Sequence, residues 1–276
     1  MTSPRARVLN ALRRLGARPR LAPLVAVCLG APTVRPSVRL ALRELLHRED
    51  LAIYRVRRTG QRVAIRHGAA AVWVLAEVFR RRCYEPSPDL AELLGEPKTI
   101  VDLGGNIGLF GLYAAARWPR AHIVAFEPDD ENAAIQRLTI DANELTARWE
   151  LVQAAASNRD GHVSFVCGLN AVSHIADSNS AERTVEVPMH DVLPRVARAD
   201  LLKMDIEGGE WAILGDPRFR KEPPRTIVLE YHPHRCPGQN PQIEAERALR
   251  AADMRLHSSR DNGDGTGMLW ASAQGG

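Results

Sequence analysis

Hydrophobic positions change their spacing along the chain in a regular way from residue 98 onward. Short apolar runs, typical of buried strands, alternate with segments whose apolar residues recur at helical spacing. The predicted strands are Thr99–Leu103, His122–Phe126, Trp149–Ala154, Ala199–Met204, Thr226–Glu230, Met254–Ser258 and Met268–Ala271. The predicted helices are Ile107–Arg117, Pro128–Ala142, Gly209–Leu214 and Pro241–Ala252. This alternation predicts an α/β fold with a mostly parallel sheet and helices on both faces.

The region before the sheet is predicted to be a helical lead-in with one hairpin. Its predicted elements are a helix over Ser37–His47, hairpin strands Leu51–Val56 and Gln61–Arg66, a helix over Val72–Phe79, and a helix capped by Ser87 and ended by Gly95. A further strand pair, His162–Val166 and Thr184–Val187, is predicted as an insertion. We divide the chain into a basic extension (1–67), a helical lead-in (68–96) and a ligand-binding domain (97–276).

The composition is that of a globular protein, with 276 residues, 45% hydrophobic and 25% charged. The four cysteines form no C-x-x-C pair, which excludes a zinc knuckle or a thioredoxin motif and predicts a reducing, cytoplasmic location. The apolar run from Leu21 to Ala31 is too short to span a bilayer.

The charge is divided unevenly along the chain. Residues 1–67 carry fifteen arginines, no lysine and three acidic residues, a net charge of +12, so the remainder carries −8. We interpret the basic arm as a solvated face, with peripheral contact to a membrane or a carrier protein as the alternative. The acidic remainder and the scarcity of aromatic residues in the arm argue against a nucleic-acid partner.

The segment Asp102-Leu103-Gly104-Gly105-Asn106-Ile107-Gly108 has the order of a strand, a glycine turn and a helix. Asn106 and Leu109 occupy glycine positions of the dinucleotide template G-x-G-x-x-G, which argues against a dinucleotide. A carboxylate at Asp102 suits an ammonium group, and Glu127 at the next strand end suits the hydroxyls of a ribose. A cofactor with both groups and no phosphate is S-adenosylmethionine.

Four segments together resemble the FkbM family of S-adenosylmethionine-dependent methyltransferases: VDLGGNIGLF, AFEPDDEN, LLKMDIEGGEWAIL and VLEYHP. The resemblance covers roughly residues 97–235. It implies a class I, Rossmann-like sheet of seven strands with the last strand antiparallel. It also implies methyl transfer, most often to a hydroxyl of a sugar, polyketide or other natural product. The predicted cofactor site comprises Asp102, Gly104, Gly105, Asn106, Gly108, Glu127 and Pro128.

The acceptor side is predicted at the ends of the fourth and fifth strands. A hydroxyl acceptor needs a general base or a metal that lowers its pKa. Asp205 is the first candidate, with a helix N-cap as the alternative role. The other candidate catalytic residues are Lys203, Glu207 and His232, and Lys203 is expected to pair with a site carboxylate or with Glu230. Asp205, Glu230 and His232 would also form a magnesium site, and the sequence leaves metal dependence open.

The leading hypothesis is therefore an O-methyltransferase of a small molecule or glycan. An N-methyltransferase acting on a peptide or amine is the nearest alternative. A non-catalytic cofactor-binding or membrane-docking adaptor is the second. The acceptor pocket is expected from the lead-in helices and the insertion near Phe165–Ser180, in which Asn170, Ser173 and His174 are interpreted as a solvated loop. The sequence leaves the oligomeric state open.

Overall fold

The computed structural model describes residues 22–46, 48, 50–166 and 184–274. The predictions about residues 1–21 and about Asn170, Ser173 and His174 therefore lie outside the described residues. The elements before the main sheet are α1 (Ala22–Gly30), β1 (Val34–Arg35), α2 (Ser37–Leu45), β2 (Leu51–Val56), β3 (Arg62–Arg66), α3 (Ala69–Ala76) and α4 (Pro88–Leu94). A short 3-10 helix (Ala31–Thr33) follows α1, and a π-helical segment (Glu77–Arg81) follows α3.

Strands and helices then alternate to residue 273. They are β4 (Thr99–Leu103), α5 (Leu109–Arg117), β5 (His122–Phe126), α6 (Asp130–Ala142), β6 (Trp149–Val152), β7 (Ala155–Ser157), β8 (Gly161–Val166), β9 (Thr184–Asp191), α7 (Leu193–Val196), β10 (Leu201–Met204), α8 (Glu210–Leu214), α9 (Pro217–Lys221), β11 (Thr226–Tyr231), α10 (Pro241–Ala251), β12 (Met254–Asp261) and β13 (Gly267–Ala273).

The main sheet has seven strands in the order β12-β13-β11-β10-β4-β5-β6. Strand β13 runs antiparallel to both of its neighbours, whereas β11, β10, β4, β5 and β6 pair in parallel. The order reverses between β4 and β10, so the carboxyl ends of these adjacent strands form the crevice in which ligands of such sheets bind. The predicted α/β fold is confirmed, including the antiparallel last strand.

Both faces of the main sheet are buried, which explains why its strands are continuous apolar runs. Alternate residues of one strand join different cores: Ile100 packs on one side of β4, and Val101 and Leu103 pack on the other. The first core continues into the lead-in, where it includes Val72 and Tyr54. The lead-in therefore shares a core with the sheet. The domain division at residues 67 and 96 stays a prediction.

Two small sheets flank the main one. Strands β1, β2 and β3 form an antiparallel sheet, and β7, β9 and β8 form another in which β7 and β9 are parallel. The hairpin β2–β3 and the insertion pair β8–β9 were predicted from their alternating patterns. The structure adds β7 to the insertion and extends β9 to Asp191, because Ala155–Ser157 pairs with Met189–Asp191.

Helix starts follow the predicted capping chemistry. The Ser87 hydroxyl accepts a hydrogen bond from the Leu90 N–H, with Pro88 as the first helical residue of α4. The Asp129 carboxylate accepts from the N–H groups of Glu131 and Asn132 at the start of α6. The short helices α7 and α9 were missed because four or five residues are too few to show helical periodicity.

Within the described part of the chain, the helices are all too short or too polar to traverse a lipid bilayer.

Candidate active site

A cleft with about 920 Å³ of empty space, partly open to solvent, lies beyond the carboxyl ends of β4, β5 and β10. The cleft is lined by most of the residues that the sequence singled out: Gly104, Gly105, Asn106, Glu127, Pro128, Lys203, Asp205 and Glu207. The structure therefore brings the predicted cofactor side and the predicted acceptor side to one place.

The glycine turn is held against both neighbouring strands. The N–H groups of Gly104 and Gly105 both donate to the carbonyl oxygen of Phe126, at 3.0 and 2.8 Å. Gly104 has a φ of +82°, and a Cβ there would lie 1.9 Å from the carbonyl oxygen of Asp205. Only glycine fits this position, because the turn crosses directly over the end of β10.

Gly108 has a structural position next to the cleft. It precedes the first residue of α5 with a φ of +85°. A Cβ on Gly108 would meet the Gln136 side chain at 2.8 Å. Gly108 is not among the residues that line the cleft. Its predicted role in cofactor binding is therefore indirect: it allows the turn to enter α5.

Glu127 is buried, with 5% of its surface exposed, and is bonded to the glycine turn. Its two carboxylate oxygens accept hydrogen bonds from the N–H of Asn106 at 2.7 Å and the N–H of Asp129 at 2.9 Å. Burial raises the pKa of Glu127 to about 7, against the opposing effect of these two hydrogen bonds. The carboxylate is thus fixed at the cleft wall with lone pairs left for the donors of a ligand.

Asp102 differs from the prediction that it meets an ammonium group of the cofactor. It is fully buried, and its Oδ1 lies 3.1 Å from Nζ of Lys203. The two residues are register partners on the parallel strands β4 and β10. Because a lysine already neutralises the Asp102 carboxylate beneath the cleft, the geometry argues against direct contact with a ligand.

Lys203 joins the turn to the sheet beneath it. Its ammonium donates to the carbonyl oxygens of Gly104 at 2.6 Å and Leu103 at 3.3 Å, and lies 3.8 Å from Asp205. Burial alone lowers the pKa of Lys203, but the charges of Asp102 and Asp205 outweigh it and raise the pKa above its usual value. The expected pairing with a site carboxylate is confirmed, and Lys203 stays charged.

His232 is buried among three carboxylates. Its Nδ1 lies 3.2 Å from Glu210, and its Nε2 lies 3.5 Å from Glu207 and 3.8 Å from Asp205. Burial alone lowers the pKa of His232, but the hydrogen bond to Glu210 and the charges of Asp205, Glu210 and Glu207 raise it to about 10. His232 is therefore an imidazolium at neutral pH, which argues against its predicted use as a base.

Asp205 faces the cleft with about a quarter of its side chain exposed. The Tyr84 hydroxyl donates a long hydrogen bond of 3.5 Å to its Oδ2, while Oδ1 faces His232. The alternative role as a helix N-cap is not observed, because α8 begins at Glu210 after an uncapped Gly209. Asp205 is thus a partly exposed carboxylate between two oriented donors, and Glu207 beside it is exposed to a similar extent.

A cluster suited to a metal ion overlaps the predicted one. One ligand atom each of Asp205, Glu207 and His232 lies within 4.8 Å of the others. Glu207, with a left-handed φ of +52°, is the third member of this cluster in place of the predicted Glu230. Burial, and then the nearby charge of Asp205, raise the pKa of Glu230 to about 8, so it is largely protonated at neutral pH.

Two site residues were missed from the sequence. Glu210 lies in the first turn of α8, where acidic residues are common. It is fully buried and accepts from the N–H groups of Gly208 and His232, both at 2.8 Å. Tyr84 lies in a loop without periodicity and packs edge-on against Phe110 with ring centroids 5.0 Å apart. No sequence signal predicts the contact of Tyr84 with Asp205 or that of Glu210 with His232, since each joins segments more than twenty residues apart.

The sequence model described as Methyltransferase FkbM domain matches residues 102–256, which is more than half of the chain.

Curated relatives have methyltransferase names. Methyltransferase sdnD of Sordaria araneosa is 30% identical over 213 residues, which cover 63% of this chain and 79% of that protein. Methyltransferase 1 of Beauveria bassiana (strain ARSEF 2860) is 24% identical over 164 residues, which cover 50% of this chain and 64% of that protein.

Solved structures with a similar arrangement have low identity. The StiE O-MT is 10% identical, with a TM-score of 0.43, over 69% of this chain and 55% of that one. An O-methyltransferase family protein from Burkholderia thailandensis is 13% identical, with a TM-score of 0.42, over 75% of this chain and 60% of that one.

Proposed function

The chain belongs to the FkbM methyltransferase family, and from this premise we propose that it transfers the methyl group of S-adenosylmethionine to a hydroxyl of a small-molecule or glycan acceptor. The observation that carries the proposal is the position of Asp205. Its exposed carboxylate shares one cleft with Glu127 and the glycine turn. A cofactor side and a proton acceptor thus face the same space.

The residues of the cleft fit S-adenosylmethionine. The buried Glu127 carboxylate would accept the two ribose hydroxyls, and the Gly104–Asn106 backbone would line the methionine end. Apolar side chains at the cleft wall, Phe126, Pro128 and Phe165, would pack against the adenine. When bound, the cofactor supplies a methyl group already activated on a sulfonium. The protein therefore has to align the acceptor and remove its proton.

Asp205 performs the proton transfer in this proposal. It would take the hydroxyl proton of the acceptor onto a carboxylate oxygen as the acceptor oxygen bonds to the methyl carbon, while the carbon–sulfur bond of the sulfonium breaks and a neutral thioether leaves. Tyr84 and the His232 imidazolium orient the two oxygens of that carboxylate. Glu210 holds His232 in place through two hydrogen bonds, and Glu207 lies beside His232 at the cleft. His232 thus takes a positioning role instead of the role of base.

A magnesium ion is the alternative to the imidazolium. Asp205, Glu207 and His232 would hold it, and it would lower the pKa of an acceptor hydroxyl bound to it. That arrangement requires a neutral His232, which its surrounding carboxylates oppose in the absence of the ion. Turnover that survives exhaustive dialysis against EDTA supports the metal-free form, and loss that magnesium restores supports the metal.

N-methylation is a second candidate that one observation favours. Asp205, Glu207 and Glu210 surround a single imidazolium, so this side of the cleft carries an excess of negative charge. Such a site attracts a cationic amine as well as a neutral hydroxyl compound. An amine needs little help from a base once it has lost its proton. N-methylation should therefore depend less on Asp205 than O-methylation does.

Asp205→Asn is the variant that tests the proposed chemistry. With labelled cofactor and extracts of the producing organism, the wild type should yield a product heavier by one methylene unit. The variant should lose at least about a hundredfold in turnover, since a general base contributes on that order, while calorimetry shows unchanged cofactor binding. Turnover close to that of the wild type would exclude Asp205 as the base and favour an amine acceptor.

A further inference from the structure

An apolar stripe faces solvent on helix α2. Among the described residues, eleven large hydrophobic side chains are exposed, and seven of them lie between residues 24 and 53. Four belong to α2 and its last turn: Val38, Leu42, Leu45 and Leu46, exposed by 69%, 53%, 42% and 65%. We call these four residues the α2 stripe. Their spacing of four, three and one places them on one side of the helix.

The opposite side of α2 is fixed to the protein. Leu40 is fully buried in the first core, and Glu44 is buried with its carboxylate 2.7 Å from Nδ1 of His67. His67 in turn shares a hydrogen bond of 2.7 Å with the Tyr54 hydroxyl. The helix therefore cannot rotate to bury the stripe, and the four apolar side chains stay presented to solvent.

Arginines border the α2 stripe. Arg39 is exposed, and its guanidinium lies 5.8 Å from the centre of the Tyr54 ring. Arg57 reaches the start of the helix, where it donates to the Ser37 hydroxyl at 2.7 Å and to the Val34 carbonyl at 3.0 Å. Arg35 precedes the helix and is exposed, whereas Arg43, one turn beyond Arg39, is ion-paired with Asp50. The stripe thus has a cationic border that is fixed by contacts of the fold.

We propose that the α2 stripe and its arginine border dock the protein onto an anionic lipid bilayer. Interfacial helices bind in this way: apolar side chains enter the boundary between headgroups and acyl chains, and arginines meet the lipid phosphates. The charge distribution supports this partner, because residues 1–67 carry fifteen arginines against three acidic residues. The phosphates of a lipid surface complement this excess of positive charge, and its acyl chains complement the four apolar side chains.

Two other occupants fit less well. Residues 1–21 carry six arginines and no acid, so the border would repel them from the stripe. A second copy of the chain would bring the same border against itself. Four aliphatic side chains also offer far less than the roughly 800 Å² per partner that a stable dimer buries.

Vesicle sedimentation of the full-length protein tests the proposal. The probes are vesicles of phosphatidylcholine alone and of phosphatidylcholine mixed with phosphatidylglycerol. The protein should sediment with the mixed vesicles, more weakly at high salt, and stay in solution with phosphatidylcholine alone. The variant Leu42→Gln/Leu46→Gln should bind the mixed vesicles at least about tenfold more weakly, because it removes two inserted side chains.

The matched control is Leu138→Gln/Ile243→Gln, which changes two exposed apolar side chains elsewhere on the surface, 39% and 60% exposed. It should bind like the wild type. Both variants alter exposed positions, and circular dichroism should show that both fold.

Four results would overturn the proposal: no sedimentation of the wild type, equal binding to both vesicle types, equal binding by the stripe variant and the wild type, or equal weakening by the control. Two further results would reassign the stripe and also overturn it. One is that the wild type forms a dimer in analytical ultracentrifugation, the stripe variant is a monomer, and neither protein binds vesicles. The other is that the wild type binds an acidic carrier protein but not vesicles, and that the stripe variant loses this protein binding.

Discussion

At the scale of single residues, the site depends on carboxylates that the fold holds away from water in different ways. Asp102 is neutralised by Lys203, and Glu127 is held by two backbone N–H groups. Asp205 remains partly exposed. Removing a carboxylate from water favours its neutral form. The lysine and the N–H groups around each carboxylate therefore decide whether that carboxylate is ionised at neutral pH.

Glu127 makes cofactor binding depend on pH near neutrality. Its pKa is raised to about 7, and the ionised form is the one that accepts two ribose hydroxyls. Affinity is therefore full above pH 7 and declines as the pH falls through 7. Proton linkage at one site predicts about a tenfold weaker affinity at pH 6 than at pH 8, measured by calorimetry. The variant Glu127→Gln should bind weakly at both values, and a wild-type affinity that is flat across this range contradicts the assignment.

The sequence predicted those site residues that directly follow parallel strands. Asp205 and Glu127 follow β10 and β5, and the ends of adjacent parallel strands meet at one edge of a sheet. It predicted that Lys203 pairs with a carboxylate but not that this carboxylate is Asp102, because that choice depends on the register between β4 and β10. The reversal of roles at His232 follows from Glu210, a contact across 22 residues of chain.

At the scale of elements, the glycine turn joins three strands. It follows β4, bonds to the end of β5 through Phe126, and passes over the end of β10. The bounds of β4 and β5 were predicted without error, because turn and charged residues follow their apolar runs directly. The end of β12 was predicted too early, at Ser258 instead of Asp261. Its last residues are polar and exposed, and pairing with β13 holds them in the strand.

Gly104→Ala should destabilise the protein by more than about 3 kcal/mol. A left-handed backbone costs a non-glycine residue about 1–2 kcal/mol, and the new Cβ also meets the Asp205 carbonyl oxygen. The measurement is the free energy of unfolding in urea. Gly263→Ala is the matched control, because Gly263 has a φ of +81° with nothing within 4 Å of the added Cβ. It should lose only the stability that the left-handed backbone costs, about 1–2 kcal/mol. Equal losses in the two variants would show that Gly104 is not sterically required.

At the scale of the whole molecule, the cleft and the α2 stripe lie on different elements. The cleft lies at the carboxyl ends of the parallel strands, and the arginine-bordered stripe lies on α2, before the main sheet. The mostly parallel sheet was predictable because strands alternate with helices along the chain, and its antiparallel last strand was implied by the resemblance to the FkbM family. The packing of the lead-in onto the sheet was not predictable, since it depends on which apolar faces meet.

Binding of S-adenosylmethionine to the cleft beside Glu127 is the central claim, and isothermal titration calorimetry at pH 8 tests it most directly. The wild type should bind one equivalent of cofactor, and Glu127→Ala should weaken binding at least about a hundredfold, because it removes the charged acceptor of two hydroxyls. Both proteins should unfold cooperatively. No heat of binding with the folded wild type, or an affinity that Glu127→Ala leaves unchanged, would contradict the claim.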